Sequence, residues 1–110
     1  MTWTLIDSGT TASLTLNTPV TLSTQTTNAT YCLMVDCSNM VLLDVTEIRV
    51  LSFPLTGGAQ TQVWKDVIQG ALVINFLRQS PFIPSDQSIQ FTIVQLAGTG
   101  RTYKWKVLSQ

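Results

Sequence analysis

The sequence predicts an all-β domain, an antiparallel β-sandwich of jelly-roll or related Greek-key topology. Short runs of alternating apolar and polar side chains recur along the chain, and turn-forming residues separate them at intervals of about 8 to 12 residues. Threonine, which favours strands, occurs 17 times. The pattern gives seven to nine short strands, and a chain of 110 residues fits one domain, residues 1–110, with a single core.

The first third of the chain predicts three short strands. Residues 3–7 alternate and are followed by a turn at 7–9, where Asp, Ser and Gly break the run. Residues 13–17 and 20–22 alternate again, and Pro19 between them predicts a bend rather than one continuous strand.

The middle of the chain predicts a central strand and a half-exposed one. Residues 31–36 are dense in β-formers, which is typical of a strand buried on both faces. Residues 38–40 predict a turn, with Met40 folded back beneath the sheet. Residues 45–53 alternate between apolar side chains and exposed charged ones such as Glu47.

Residues 62–77 fit either a helix or two strands. Apolar side chains recur at helical spacing, but Val, Ile, Trp and Phe favour strands. A helix would hold Gly70 in its interior at a cost of roughly 1 kcal/mol, so we favour strands at 62–68 and 71–77 with a bend at Gly70.

Two proline-containing loops carry apolar side chains that have no neighbour in the local pattern. One loop spans residues 54–58, and the other, residues 78–87, is stiffened by two prolines. These segments supply the candidate partner-interface residues: Phe53, Leu55, Arg78, Phe82 and Ile83. For Phe82 and Ile83 the alternative is a small satellite core.

The last third predicts two further strands. Residues 88–96 alternate, and residues 103–107 alternate with one buried and one wet face. Residues 98–100, Gly-Thr-Gly, resemble a phosphate-binding loop only superficially, because they precede a strand and lack the following Lys-Ser/Thr pair. A tight hairpin is the better interpretation.

The composition argues against catalysis and for binding. The chain has no histidine and only six acidic and six basic residues, so no catalytic, cofactor-binding or metal-binding residue is predicted and the protein is expected not to be an enzyme. The formal net charge of zero argues against direct nucleic-acid binding. A sparsely charged surface favours association, so we expect a partner; a monomer with a neutral surface is the alternative.

The cysteines, the tryptophans and the absence of long apolar runs give three further expectations. Cys32 and Cys37 fit no common metal spacing, and buried free thiols are favoured over a disulfide. The three tryptophans are predicted to be core residues rather than a stacking platform for sugars or bases. No apolar run approaches the ~18 residues of a membrane span and residues 1–9 lack a signal-peptide pattern, so neither membrane insertion nor secretion is expected.

Several segments together resemble a known group of proteins. They are TTNATY at 26–31, VDCSNM at 35–40, DVTEIRV at 44–50, the glycine pair at 57–58 and AGTGRTYKWKV at 97–107, with Trp-Thr-Leu at 3–5 near the start. The set resembles small β-rich virion structural proteins that tailed bacteriophages encode beside the major capsid protein. Residues 59–87 depart from the group's pattern by being more apolar.

The resemblance implies a capsid decoration, or cement, protein. Such a protein binds the outside of the shell and bridges major capsid subunits as a dimer or trimer. Its partner would be the major capsid protein, and its location the capsid exterior after synthesis in the host cytoplasm. A head-to-tail connector or tail component is the alternative within the virion, and a carbohydrate-binding β-sandwich module is the alternative outside it.

Overall fold

The computed structural model describes residues 3–52, 60–70 and 77–110, which form a sandwich of two antiparallel sheets without a helix. The strands are β1 (Thr4–Thr10), β2 (Val20–Gln25), β3 (Ala29–Asp36), β4 (Val45–Ser52), β5 (Thr61–Gln69), β6 (Leu77–Gln79), β7 (Ile83–Ser85), β8 (Ile89–Ala97) and β9 (Lys104–Ser109). The all-β sandwich predicted from the alternating runs is confirmed.

The first sheet has five strands and the second has four. In the five-stranded sheet the order is β1-β9-β3-β6, and β7 also pairs with β3, beyond the end of β6. The four-stranded sheet has the order β2-β8-β4-β5. The prediction that residues 31–36 form a central strand is confirmed, since β3 has neighbours on both sides and Cys32 and Val35 are 0% exposed.

The core lies between the two sheets. Ile48 and Val50 of β4 pack with Phe91 and Ile93 of β8, and all four side chains are at most 1% exposed. Met40 is 3% exposed and belongs to the same cluster, so its predicted position beneath the sheet is confirmed. This core holds the two sheets against each other.

The strand pairs are nested along the chain. The first strand, β1, pairs with the last, β9, and β2 pairs with β8. Inside them β3 pairs with β6 and β7, and β4 pairs with β5. Two further antiparallel pairs, β3 with β9 and β4 with β8, join these pairs into the two sheets.

The turn predicted at residues 7–9 is wrong, because β1 runs through it as far as Thr10. A bulge between Leu5 and Asp7 shifts the register, and Asp7 lies opposite the buried Val107. Its Oδ2 accepts a hydrogen bond of 2.6 Å from the Ser23 hydroxyl of β2. The polar residue that signals a turn in sequence serves here as a link between the two sheets.

Two further local predictions are wrong. Residues 13–17 form no strand; Leu14 is 6% exposed and Asn17 has a left-handed backbone with φ 61°. Residues 98–100 do not close a hairpin, because β8 and β9 belong to different sheets. Gly98, with φ 88°, is required there because a Cβ at this position would collide with the Asp44 side chain.

The segment 78–87 is not an unpaired loop. It contains β6 and β7, which form one interrupted edge of the five-stranded sheet. At the interruption the Ser80 amide donates to the Leu33 carbonyl at 2.8 Å, and the Ser80 hydroxyl accepts from the Leu33 amide at 2.9 Å. Pro84 lies in β7, and an edge strand tolerates the missing donor.

The strand interpretation of residues 62–68 is confirmed by β5, which ends before Gly70 with φ 72°. Of the second predicted strand, residues 71–76 lie outside the described residues. β4 is less exposed on its outer face than predicted: Glu47 is 7% exposed, because the Arg49 guanidinium covers it with Nε 3.0 Å from its Oε1.

Each edge strand carries a feature that discourages pairing with another sheet. Asp7 and a bulge interrupt β1, and a register shift between Thr21 and Ser23 interrupts β2. Exposed Lys65 lies on β5, and β6 and β7 have three residues each. Such features prevent edge-to-edge aggregation, so specific contacts are expected through loops and faces.

Candidate interaction surfaces

The most exposed apolar side chains lie together in the connection between β3 and β4. Val41, Leu42 and Leu43 are 45%, 74% and 77% exposed, and the two leucines exceed every other large apolar side chain in the described part of the chain. We call these three residues the apolar tip. Three consecutive exposed apolar residues are unusual in a monomeric protein and are typical of a contact site.

Asp44 anchors the apolar tip. Its side chain is 1% exposed, and its Oδ2 accepts hydrogen bonds of 2.9 Å from the Val41 amide and from Arg101 Nε. Its Oδ1 accepts from the Thr99 amide at 3.3 Å. Its backbone carbonyl accepts from the Gly70 amide at 2.9 Å, so the base of the tip is tied to two other segments, residues 99–101 and Gly70.

These contacts also set the charge of the tip's base. Burial raises the pKa of Asp44, but hydrogen bonds from Val41, Arg101 and Thr99 outweigh it, and the net pKa is lowered. The carboxylate is therefore ionised at neutral pH and is neutralised by Arg101. The two charged residues at the base of the apolar tip, Asp44 and Arg101, therefore carry no net charge together.

A buried polar network of Thr46, Gln95 and Tyr103 holds the segment that carries Arg101. The hydroxyls of Thr46 and Tyr103 are 2.6 Å apart, and the Tyr103 hydroxyl donates to Gln95 Oε1 at 3.3 Å. Gln95 also donates to the Thr99 carbonyl at 2.6 Å and accepts from the Arg101 amide at 3.0 Å. Burial raises the pKa of Tyr103, so it remains a neutral donor. The network holds residues 98–102 against the tip.

Leu43 adopts a backbone conformation that a leucine avoids. Its φ of 79° lies in the left-handed region, where a bulky side chain costs about 1–3 kcal/mol. The Asp44 hydrogen bonds hold the turn in that conformation. Because Leu43 is 77% exposed, packing within the chain does not compensate for the cost.

A second apolar surface lies on the outer face of the five-stranded sheet. Leu5 and Leu77, 56% and 51% exposed, line a groove of about 380 Å³ together with the half-buried Met34. Lys104 and Lys106 of β9 also line it, and Met34 lies directly opposite Lys106 in register. Asp36 of β3 lines it too, opposite Lys104 in register. We call this surface the outer groove; it is mainly apolar, with two lysines and one carboxylate among its lining residues.

Among the predicted interface residues, Phe82 lies at the surface and Ile83 does not. Phe82 is 41% exposed and stacks on Trp3, with ring centroids 3.8 Å apart and planes 14° apart. Ile83 is opposite Tyr31 in the β3–β7 pair and, half-buried, packs against the main core rather than against a separate satellite core. Phe82 thus keeps its place as a contact candidate.

Arg78 points between the sheets. It lies opposite the buried Val35, and its Nη1 is 4.0 Å from Asp66 Oδ2 of β5. Its Nε is buried and has no hydrogen-bond partner among the described residues. Phe53 and Leu55 lie outside the described residues, so their predicted interface role stays a prediction.

The cysteines and tryptophans, which could have reacted or stacked on a ligand, occupy structural positions. Cys32 and Cys37 are buried free thiols, as predicted, and burial raises the pKa of Cys37 to about 12. Trp64 and Trp105 pack against the core, as predicted, whereas Trp3 stacks on Phe82. Within residues 3–52, 60–70 and 77–110 no three acidic or cysteine side chains are grouped to hold a metal ion, and no helix is long and apolar enough to cross a membrane.

Sequence reasoning missed the apolar tip. The signal was present as three consecutive apolar residues at 41–43, which lie between the buried Met40 and Asp44 and outside every alternating run.

Comparisons of the chain with protein-family models, with curated proteins and with solved structures gave no match.

Proposed function

We propose that this chain is a non-enzymatic structural protein of a tailed-bacteriophage virion, and specifically a decoration protein that binds the outside of the shell and bridges major capsid subunits. The observation that carries the proposal is the rigidly anchored apolar tip on a sandwich with few charges. Such a surface suits contact with another protein, either a capsid subunit or a neighbouring copy that is bound to the same shell. The resemblance of segments such as 35–40 and 97–107 to phage virion proteins points to the kind of assembly.

The distribution of charge supports a protein partner over a nucleic acid. Three ion pairs within the chain, Arg49–Glu47, Arg78–Asp66 and Arg101–Asp44, use half of the six basic residues. The only local basic cluster in the sequence, at 101–106, is thereby reduced to Lys104 and Lys106. Two lysines displace too few counterions for appreciable affinity to nucleic acid.

We also propose that the sandwich has jelly-roll topology. The nested pairing of β1 with β9, β2 with β8, β3 with β6 and β7, and β4 with β5 supports it, with β6 and β7 counted as one interrupted strand. A jelly roll is an eight-stranded double sheet of this kind and is common among viral capsid domains.

Co-sedimentation with capsid shells tests the function. The wild-type chain is mixed with shells assembled from the major capsid protein of its phage and pelleted. We expect saturable binding, and a higher temperature of DNA release from virions that carry the chain. Leu42→Ser is expected to weaken binding at least tenfold, while the matched control Val67→Ser, at a 43%-exposed valine of β5, leaves it unchanged.

The number of copies bound separates decoration from the alternative virion role. Saturation at hundreds of copies per shell supports decoration, whereas about a dozen copies would indicate a connector or tail component instead. A chain that stays in the supernatant, with unchanged DNA-release temperature, would contradict the proposal.

A further inference from the structure

We propose that the apolar tip of one copy inserts into the outer groove of a second copy, so that copies of this chain associate head to tail. The inference concerns contacts between copies and does not depend on binding to a shell. It joins two surfaces that the fold leaves uncovered and gives each of them an occupant.

The two surfaces are complementary in shape. The tip is a protrusion in which Leu42 and Leu43 are about three-quarters exposed, and the groove is a concavity of about 380 Å³ with Leu5, Met34 and Leu77 along it. An apolar cavity of about 150 Å³ holds a benzene molecule of six carbons. The groove therefore has room for two leucine side chains of four carbons each.

The polar groups are also compatible. Asp44 and Arg101 neutralise each other at the base of the tip, so the tip brings no unpaired charge into the groove. Lys104 and Lys106 beside the groove supply donors for the backbone carbonyls of an incoming turn. The formal net charge of zero leaves no long-range repulsion between copies.

The backbone of Leu43 gives an independent reason to assign the tip a contact. A left-handed position favours Gly or Asn, yet it holds a leucine that packs against little of its own chain. Strained residues held by a surrounding network are characteristic of binding sites. Docking into the groove would bury the Leu43 side chain. Nothing else in the isolated fold explains a leucine at this position.

The geometry determines the type of assembly. The tip follows the carboxyl end of β3, while Met34 and Asp36 of the groove lie on β3 itself, so tip and groove are different patches of one copy. A contact between two different patches generates a closed ring or an open chain when each copy binds a new neighbour, and a two-fold dimer when two copies exchange tips reciprocally.

Complementation between two variants tests the inference. Leu42→Asp disables the tip and Leu77→Asp disables the groove, and both residues are exposed, so folding should persist. Light scattering is run over a concentration series that reaches several hundred micromolar. We expect oligomers for wild type, monomers for each variant alone, and a one-to-one heterodimer on mixing, because one intact tip and one intact groove remain.

Two controls make the test decisive. Val67→Asp places the same charge on an exposed residue of β5 and should leave the oligomer intact. Leu43→Asn suits the left-handed backbone and should keep the fold at least as stable while raising the dissociation constant at least tenfold.

A wild-type monomer at all concentrations would overturn the inference, as would variants that still assemble or that fail to complement. If wild type is monomeric but Leu42→Asp abolishes sedimentation with shells, the tip contacts the shell: the inference fails and the proposed function stands. If wild type forms the expected oligomer but ignores shells, the inference stands and the proposed function fails.

Discussion

Replacing Asp44 by Asn should destabilise the fold by about 2–3 kcal/mol. With its amide oxygen in place of Oδ2, the asparagine can still accept from Val41 and Arg101. Its NH₂ group then faces the Thr99 amide, so two donors meet where a donor and an acceptor did. An unsatisfied buried group costs about 1–3 kcal/mol, and about 1–2 kcal/mol here because the lost Thr99 bond is long, at 3.3 Å. The bond to Arg101 also loses its charge assistance, worth about 1 kcal/mol.

Urea and thermal denaturation followed by tryptophan fluorescence measure this loss. At roughly 4 °C per kcal/mol for a domain of this size, the melting temperature should fall by about 8–12 °C. The matched control is Asp86→Asn, at an exposed carboxylate, which should change stability by less than about 0.5 kcal/mol. A loss below about 0.5 kcal/mol for Asp44→Asn would refute the role given to its hydrogen bonds.

The same comparison has a defined pH dependence. The pKa of Asp44 is lower in the folded chain than its ordinary value of about 3.9, so the folded state favours the ionised carboxylate. Its contribution is complete above pH 5 and is lost as pH falls through the lowered pKa. The stability difference between wild type and Asp44→Asn should therefore shrink below pH 4; a difference constant from pH 7 to pH 2 would contradict the assignment.

Four further predictions follow from single contacts. Leu43→Asn should raise the melting temperature by about 2–4 °C, since it relieves about 0.5–1 kcal/mol of backbone strain. Gly98→Ala should cost more than about 2 kcal/mol in urea denaturation, because its Cβ meets Asp44 and its φ is 88°. Phe82→Asp should weaken assembly, by sedimentation, more than it weakens folding; loss of soluble protein would place Phe82 in the core instead. Cys37 should resist a thiol reagent until the chain unfolds, and rapid labelling of native protein would contradict its burial.

The strands could be predicted where the sequence pattern indicates which side chains of a run are buried. Residues 88–96 alternate and residues 31–36 are dense in β-formers, and each forms a strand in the structure. Residues 62–68, whose periodicity also fits a helix, were assigned to a strand because a helix would have held Gly70 in its interior. Residues 7–9 and 98–100 were misjudged for one physical reason. The residues at these places are chosen by contacts far away in sequence: Asp7 accepts a hydrogen bond from Ser23, and Gly98 leaves room for the Asp44 side chain.

The candidate surfaces were less predictable than the fold. The outer groove combines residues from four strands, so only the strand order brings Leu5, Met34 and Leu77 together. Phe82 was identified because its loop has no strand partner in the local pattern, but its stacking on Trp3 depends on the strand order of the five-stranded sheet. Local periodicity carries no information on contacts of this kind.

The apolar tip and Phe82 differ in what a mutation at each can reveal. Phe82 shares one ring face with Trp3, so truncating it exposes Trp3 and changes folding and binding together. Leu42 is 74% exposed, so its side chain contributes little to the fold and an effect of its removal reports association. Because the buried Asp44 holds the turn independently of that side chain, loss of binding in Leu42→Ser with an unchanged melting temperature would identify a contact surface rather than a damaged fold.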